Sequence, residues 1–88
     1  MTFKATVTVL DPIGLHARPA GQIVKLVKES GFDVQVGNEA GEFISGSSAL
    51  RMMAMKVKTG ETLHIVVEGA DDAAAEALVA QIQEFLKG

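Results

Sequence analysis

From Phe3 to Leu10 the chain alternates: Phe3, Ala5, Val7 and Val9 fall on one face, Lys4, Thr6 and Thr8 on the other. A period of two predicts a half-buried strand. Asp11-Pro12-Ile13-Gly14 interrupts it, with proline and glycine as turn residues. From Ala17 to Ser30 the period lengthens. Ala20, Ile23, Val24 and Val27 follow the i, i+3, i+4, i+7 stripe of an amphipathic helix, and Gly31 stands where such helices end. Phe32, Val34 and Val36 alternate again. Gly37-Asn38-Glu39-Ala40-Gly41 reads as a hairpin turn, with a short return strand over Glu42–Ser45. Ser47-Ser48 is a serine cap for a second, shorter helix over Ala49–Lys56. After the turn Thr59-Gly60, Leu63, Ile65 and Val67 mark a fourth strand over Glu61–Glu68. Gly69-Ala70-Asp71-Asp72 opens a last helix that runs to Leu86, with the stripe Ala74, Leu78, Ile82 and Phe85 and acidic residues at its start, where the helix dipole favours them.

The order β-α-β-β-α-β-α, with no linker or repeat, predicts one α+β domain over residues 1–88. Its architecture is a four-stranded antiparallel sheet with three helices on one face. At 88 residues and 48% apolar content the chain affords a real but modest core. It has no cysteine, so neither a disulfide nor a thiolate metal site is expected. Met1-Thr2-Phe3-Lys4 leads into alternation rather than a long apolar stretch, and no apolar run reaches the roughly 20 residues of a membrane span. A cytoplasmic protein with no membrane partner is therefore expected. A net charge of −3 and four Phe as the only aromatics argue against nucleic acid as a partner, because both a basic footprint and a stacking platform are poorly supplied.

The chemistry concentrates in Gly14-Leu15-His16-Ala17-Arg18-Pro19-Ala20. Here a strand hands over to a helix whose first N–H groups lack intrahelical partners, which makes a natural anion site. A histidine near a helix start is often a plain surface cap. In this context Gly14 lets the backbone bend, Ala17 keeps the approach to the ring open, and the neutral ring of His16 is nucleophilic near pH 7. Such a ring can carry a phosphoryl group covalently. Arg18 fits two roles, a solvated helix residue or a planar fork of donors for phosphate oxygens. Pro19 pre-sets φ in the first turn. No GxxxxGK[ST] motif supports nucleotide binding. His64, out of phase with Leu63 and Ile65, is expected on the open face of the sheet. No metal or cofactor is expected.

Ser45, Ser47 and Ser48 form a second cluster. One of them caps the short helix; a phosphate added there would equally alter a docking surface. Leu50, Met52, Met53 and Met55 are more apolar residues than one buried stripe needs, so some should be exposed, and methionine suits a surface that meets several partners. Arg51, Lys25 and Lys28 are candidates for a basic rim around that patch, or are simply solvated charges.

With these residues in place the chain resembles the HPr family, the small histidine phosphocarriers of the bacterial phosphoenolpyruvate–sugar phosphotransferase system. The resemblance rests on Gly14 to Ala20, the seryl helix start Ser47-Ser48, the Leu50/Met53 pattern and Thr59-Gly60-Glu61, and covers nearly the whole chain. It implies an open-faced β-sandwich. It also implies that enzyme I, charged by phosphoenolpyruvate, phosphorylates His16 on Nδ1, and that His16 passes the group to a IIA protein or domain. Arg18 and the free N–H groups of the first turn would steady the phosphoryl. Ser48, with Ser47 as its neighbouring alternative, matches the serine modified by HPr kinase/phosphorylase. Ala17, Ala20, Lys25, Lys28, Ala49, Leu50, Arg51 and Met53 would meet partners, and the protein would be a monomer. A second reading is a regulatory module whose phosphorylation state controls partner binding. Sugar-type members often have Asn or Ser where Ile13 stands, and usually a glycine where Lys56 stands; both positions look closer to the nitrogen-related paralogues called NPr.

Overall fold

A computed structural model describes residues 2–88. Met1, part of the span 1–88 expected to form one domain, lies outside them. The elements are β1 (Thr2–Thr8), α1 (Ala17–Ser30), β2 (Asp33–Gly37), β3 (Phe43–Ser45), α2 (Ala49–Ala54), β4 (Thr62–Glu68) and α3 (Asp72–Phe85). The strands form one sheet in the order β1-β4-β2-β3, and every neighbouring pair is antiparallel.

The register explains the core. Val7 stands opposite Leu63, Ala5 opposite Ile65 and Phe3 opposite Val67. On the far side of β4, Val36 pairs with Ile65 and Val34 with Val67. Since alternate residues share a face, this places one apolar set on one side of the sheet. The helices cover that side with Ile23 and Val27 of α1, Met52 of α2, and Leu78 and Ile82 of α3, all buried. The other side carries Lys4, Gln35, Phe43 and a half-buried His64, which line a shallow depression on the open face. His64 therefore lies where its phase predicts.

The first strand ends at Thr8, short of Leu10, and two further elements differ from the sequence expectation. The second helix stops at Ala54, short of Lys56. Met55 caps it, and Lys56 then turns to φ 54, the one left-handed residue other than glycine among those described. A helix does not continue through that conformation. The stripe of α3 is also rotated. Ala75, Leu78 and Ile82, followed by Leu86, are buried, whereas Ala74 and Phe85 are only partly so. Alanines at 73, 74, 75 and 77 leave the apolar phase at the start of this helix undefined, and Leu86 rather than Phe85 is drawn into the core at its end.

Candidate functional site

The site is built on the connection from β1 to α1. Leu10 N–H and Asp11 N–H both donate to the Leu86 carbonyl, at 2.9 and 2.7 Å. The Thr59 hydroxyl donates to the Asp11 carbonyl, and Leu15 N–H donates to the Val57 carbonyl at 3.0 Å. The loop is thus tied to the end of α3 and to the segment before β4. Gly14 allows the turn at φ +89, and a Cβ there would lie 2.8 Å from the Val57 carbonyl oxygen. Both conformation and space call for glycine. Leu15 then buries its side chain and sets down His16 as the N-cap of α1.

His16 holds extended backbone angles, φ −103 and ψ −171, and its side chain does not cap the helix. The ring turns back to Asp11 instead. Nε2 lies 3.0 Å from Asp11 Oδ2, and Arg18 Nη2 donates to the same oxygen at 2.8 Å. The other oxygen, Oδ1, accepts the Ile13 N–H at 2.9 Å. Asp11 is 1% exposed, while the side chains of His16 and Arg18 are 26% and 52% exposed. The site is a buried carboxylate beneath two cationic or cationisable groups that reach the surface. The Ile13 N–H, and then the His16 ring, hold the Asp11 carboxyl below its ordinary value of 3.8; burial pushes the other way, and the charge of Arg18 adds to the lowering.

Two features leave room for an anion. His16 Nδ1 has no hydrogen-bond partner among the described residues. In the first turn of α1, Ala20 N–H already bonds the His16 carbonyl at 3.1 Å and Pro19 has no N–H. The N–H groups of Ala17 and Arg18 remain, with no acidic residue in that turn to occupy them.

Other sequence candidates are more dispersed. Ala17, Lys25, Lys28 and Arg51 are exposed, and Ala49 and Met53 are half-buried. Leu50 is 77% exposed, which fits the surplus of apolar residues on α2. Met52 is its buried member. Ala20 does not belong on a partner surface: it is 0% exposed, on the face of α1 that packs over the sheet. The basic residues do not rim one groove. Lys25 borders a groove with Gln22, Leu26 and Phe85, on the α3 side of α1, while Arg51 borders another with Glu42, Ile44 and Met55. Ser48 caps α2, its Oγ accepting the Arg51 N–H at 3.3 Å, and Ser47 is exposed with its Oγ 2.7 Å from that of Ser45.

Two residues escaped the sequence reading of the site. Ile13, noted only as a departure from the sugar-type pattern, is 76% exposed beside the histidine loop. Asp11 was legible only as a turn former. The available signal was chemical: a reactive histidine needs a group to orient its ring, and a carboxylate across a glycine turn is a natural one.

The comparisons with known proteins converge on one family. The family described as "PTS HPr component phosphorylation site" matches residues 3–87. Phosphocarrier protein HPr of Lysinibacillus sphaericus is 37% identical over 79 residues, covering 89% of each chain. Phosphocarrier protein NPr of Klebsiella oxytoca is 30% identical over 88 residues, covering 100% of this chain and 96% of its own. The crystal structure of a phosphocarrier protein HPr from Bacillus anthracis superposes with a TM-score of 0.81 at 25% identity, covering 97% of this chain and 96% of that one. A family match over nearly the whole chain, relatives of 30% identity or more along its length and a shared fold agree, and the chain belongs to the HPr family of phosphotransferase-system phosphocarriers.

Proposed function

We propose that His16 accepts a phosphoryl group on Nδ1 from phosphorylated enzyme I and passes it to a IIA protein or domain. The observation that carries this reading is the partly exposed ring itself. Its Nε2 is engaged by Asp11, its Nδ1 has no hydrogen-bond partner among the described residues, and His16 begins a helix that no side chain caps. A nitrogen free of hydrogen bonds is available as a nucleophile, and the nearby N–H groups of Ala17 and Arg18 suit the incoming anion. Arg18 steadies the phosphoryl by leaving Asp11 or through its remaining donors. Ala17, Leu50 and Met53, with Ala49 and Arg51 on the same short helix as the last two, form the surface on which enzyme I and the IIA partner alternate, and Lys25 and Lys28 lie farther along α1. The chain acts as one monomeric cytoplasmic domain. No helix among the described residues is long and apolar enough to cross a membrane.

The test is direct. Incubation with enzyme I and phosphoenolpyruvate should add one acid-labile phosphate, and His16→Ala should abolish it. No phosphate on the wild type, with enzyme I active on a control carrier, would sink the reading.

A regulatory role has its own support in the start of α2. Phosphate on Ser48 would replace the hydroxyl that caps Arg51 N–H, next to the exposed Leu50, and so alter that docking face. HPr kinase/phosphorylase is the partner this reading requires, with exposed Ser47 as the alternative target. A pull-down of the wild type beside Ser48→Asp and Ser47→Asp tests it; partner sets identical for all three would remove its support.

A further inference from the structure

We propose that Asp11 is a positioning residue that decides which ring nitrogen of His16 transfers the phosphoryl group. This rests on the carrier reading above and goes a step further, from the carrier residue to the group that sets its reactive atom.

The argument starts from hydrogen-bond polarity. Asp11 Oδ2 receives Arg18 Nη2 at 2.8 Å and faces His16 Nε2 at 3.0 Å. An ionised carboxylate only accepts. The neighbours that stabilise its charge, the Ile13 N–H and Arg18, keep it ionised at neutral pH. At 3.0 Å, Nε2 must therefore carry a proton and donate it. In a neutral imidazole only one nitrogen is protonated, so the lone pair stands on Nδ1. The buried aspartate selects a tautomer, and the tautomer selects the nucleophile.

The transfer step then balances without any proton entering or leaving the ring. The Nδ1 lone pair forms the N–P bond while the bond from phosphorus to the donor atom of enzyme I breaks, and that electron pair leaves with the donor. Nε2 keeps its proton. The ring gains a positive charge, one hydrogen bond from the Asp11 carboxylate, which offsets it. On unloading, the N–P pair returns to Nδ1 as phosphorus bonds the acceptor atom of the IIA partner. Both directions use one protonation state of the ring.

Asp11→Asn makes the test sharp. The Ile13 N–H bonds Oδ1 at 2.9 Å and fixes which end of the side chain remains an acceptor. The amide nitrogen of the variant must then occupy the Oδ2 position and point its hydrogens at His16 and Arg18. Nε2 would become the acceptor, the proton would move to Nδ1, and Arg18 would be released. In a serine-protease triad the same substitution traps the wrong tautomer and costs about 10⁴-fold in turnover. His16 is partly exposed and can exchange tautomers through water, so a loss on the order of 10²-fold is expected here, following the same logic.

The experiment reads the two ring nitrogens of His16 by nitrogen–proton correlation NMR on the free protein, followed up to about pH 9, and the rate of phosphorylation by enzyme I in parallel. Wild type and Arg18→Ala should both show the Nε2–H tautomer, because Asp11 is intact in each. Asp11→Asn should show Nδ1–H together with the rate loss. A wild-type ring protonated on Nδ1 overturns the proposal without reference to the variant's folding. An Asp11→Asn protein with the wild-type tautomer or the wild-type rate overturns it as well. The tautomer is read with no enzyme present. Failure of the carrier reading therefore has a separate signature: no phosphate on a wild-type ring that still holds its Nε2 proton.

Discussion

Helices α1 and α3 are both 14 residues long, and both anchor in the same core, through Ala20, Ile23 and Val27 in one and Ala75, Leu78 and Ile82 in the other. They begin in opposite ways. Asp71 closes the start of α3, its side chain accepting the Ala74 N–H at 2.8 Å, and Asp72 follows in the first turn. His16 opens the start of α1, turns its ring away to Asp11, and is followed by no acidic residue in the first turn. A side-chain cap is worth about 1 kcal/mol. Helix α3 has one; α1, which begins at the histidine, forgoes it and leaves the N–H groups of Ala17 and Arg18 without a partner among the described residues. The difference separates a helix start that is closed within the fold from one that is open to an anion, as the proposed function requires.

The sharpest way to break this comparison is to strip the open start. Arg18→Ala should slow phosphotransfer by about 1.5–3 kcal/mol, the worth of one charge-assisted contact, which single-turnover transfer from phosphorylated enzyme I would measure. Its effect on stability should stay below about 1 kcal/mol, since the side chain is half exposed and Asp11 keeps its bonds to His16 and Ile13. An equal loss of folding and transfer would put Arg18 on the side of the fold.

Stripping the closed start should do the reverse. Asp71→Ala removes the cap on Ala74 and should cost about 1 kcal/mol in urea denaturation. The rate of phosphotransfer by the folded protein should not change. A rate change would mean that α3 transmits to the site through Leu86.

A gentler probe is pH. Asp11 is held below its ordinary value of 3.8 in the folded chain, first by the Ile13 N–H and then by His16. The unfolded chain therefore takes up the proton first as pH falls. The stabilisation is complete above the ordinary value and is lost as pH drops through the lowered one. Melts of wild type and Asp11→Asn between about pH 5 and about pH 2 should diverge in slope, with the wild type falling more steeply. Parallel curves would show that the carboxylate adds no pH-dependent stability.

How much of this was legible in the sequence depends on the range of the signal. Strands β1 and β4 and helix α1 carry strong periods of two and 3.6 over seven residues or more, and α1 falls on its expected bounds at Ala17 and Ser30. Helix α2 was overrun because its end is set by a left-handed lysine, and nothing in the residue type announces that conformation. In α3 the run of alanines hid the buried phase. Within the site, His16 and Arg18 were legible from their place at a helix start. Asp11 was not, because its contact with them depends on the path of the chain through Gly14 and on the clamps at Val57, Thr59 and Leu86. Ala20 was misplaced on the partner surface because a small residue in the motif says nothing about which side of the helix it faces.

The double clamp on the Leu86 carbonyl has a consequence for motion. Leu10 and Asp11 lie in a connecting loop, where amides usually exchange quickly with solvent. Here both N–H groups are bonded to the last turn of α3, at 2.9 and 2.7 Å. Their exchange is gated by the opening of that turn, so the two amides that flank the reactive loop should share the protection of a helix at the other end of the chain. The edge of the molecule that carries His16 thus keeps the clock of α3.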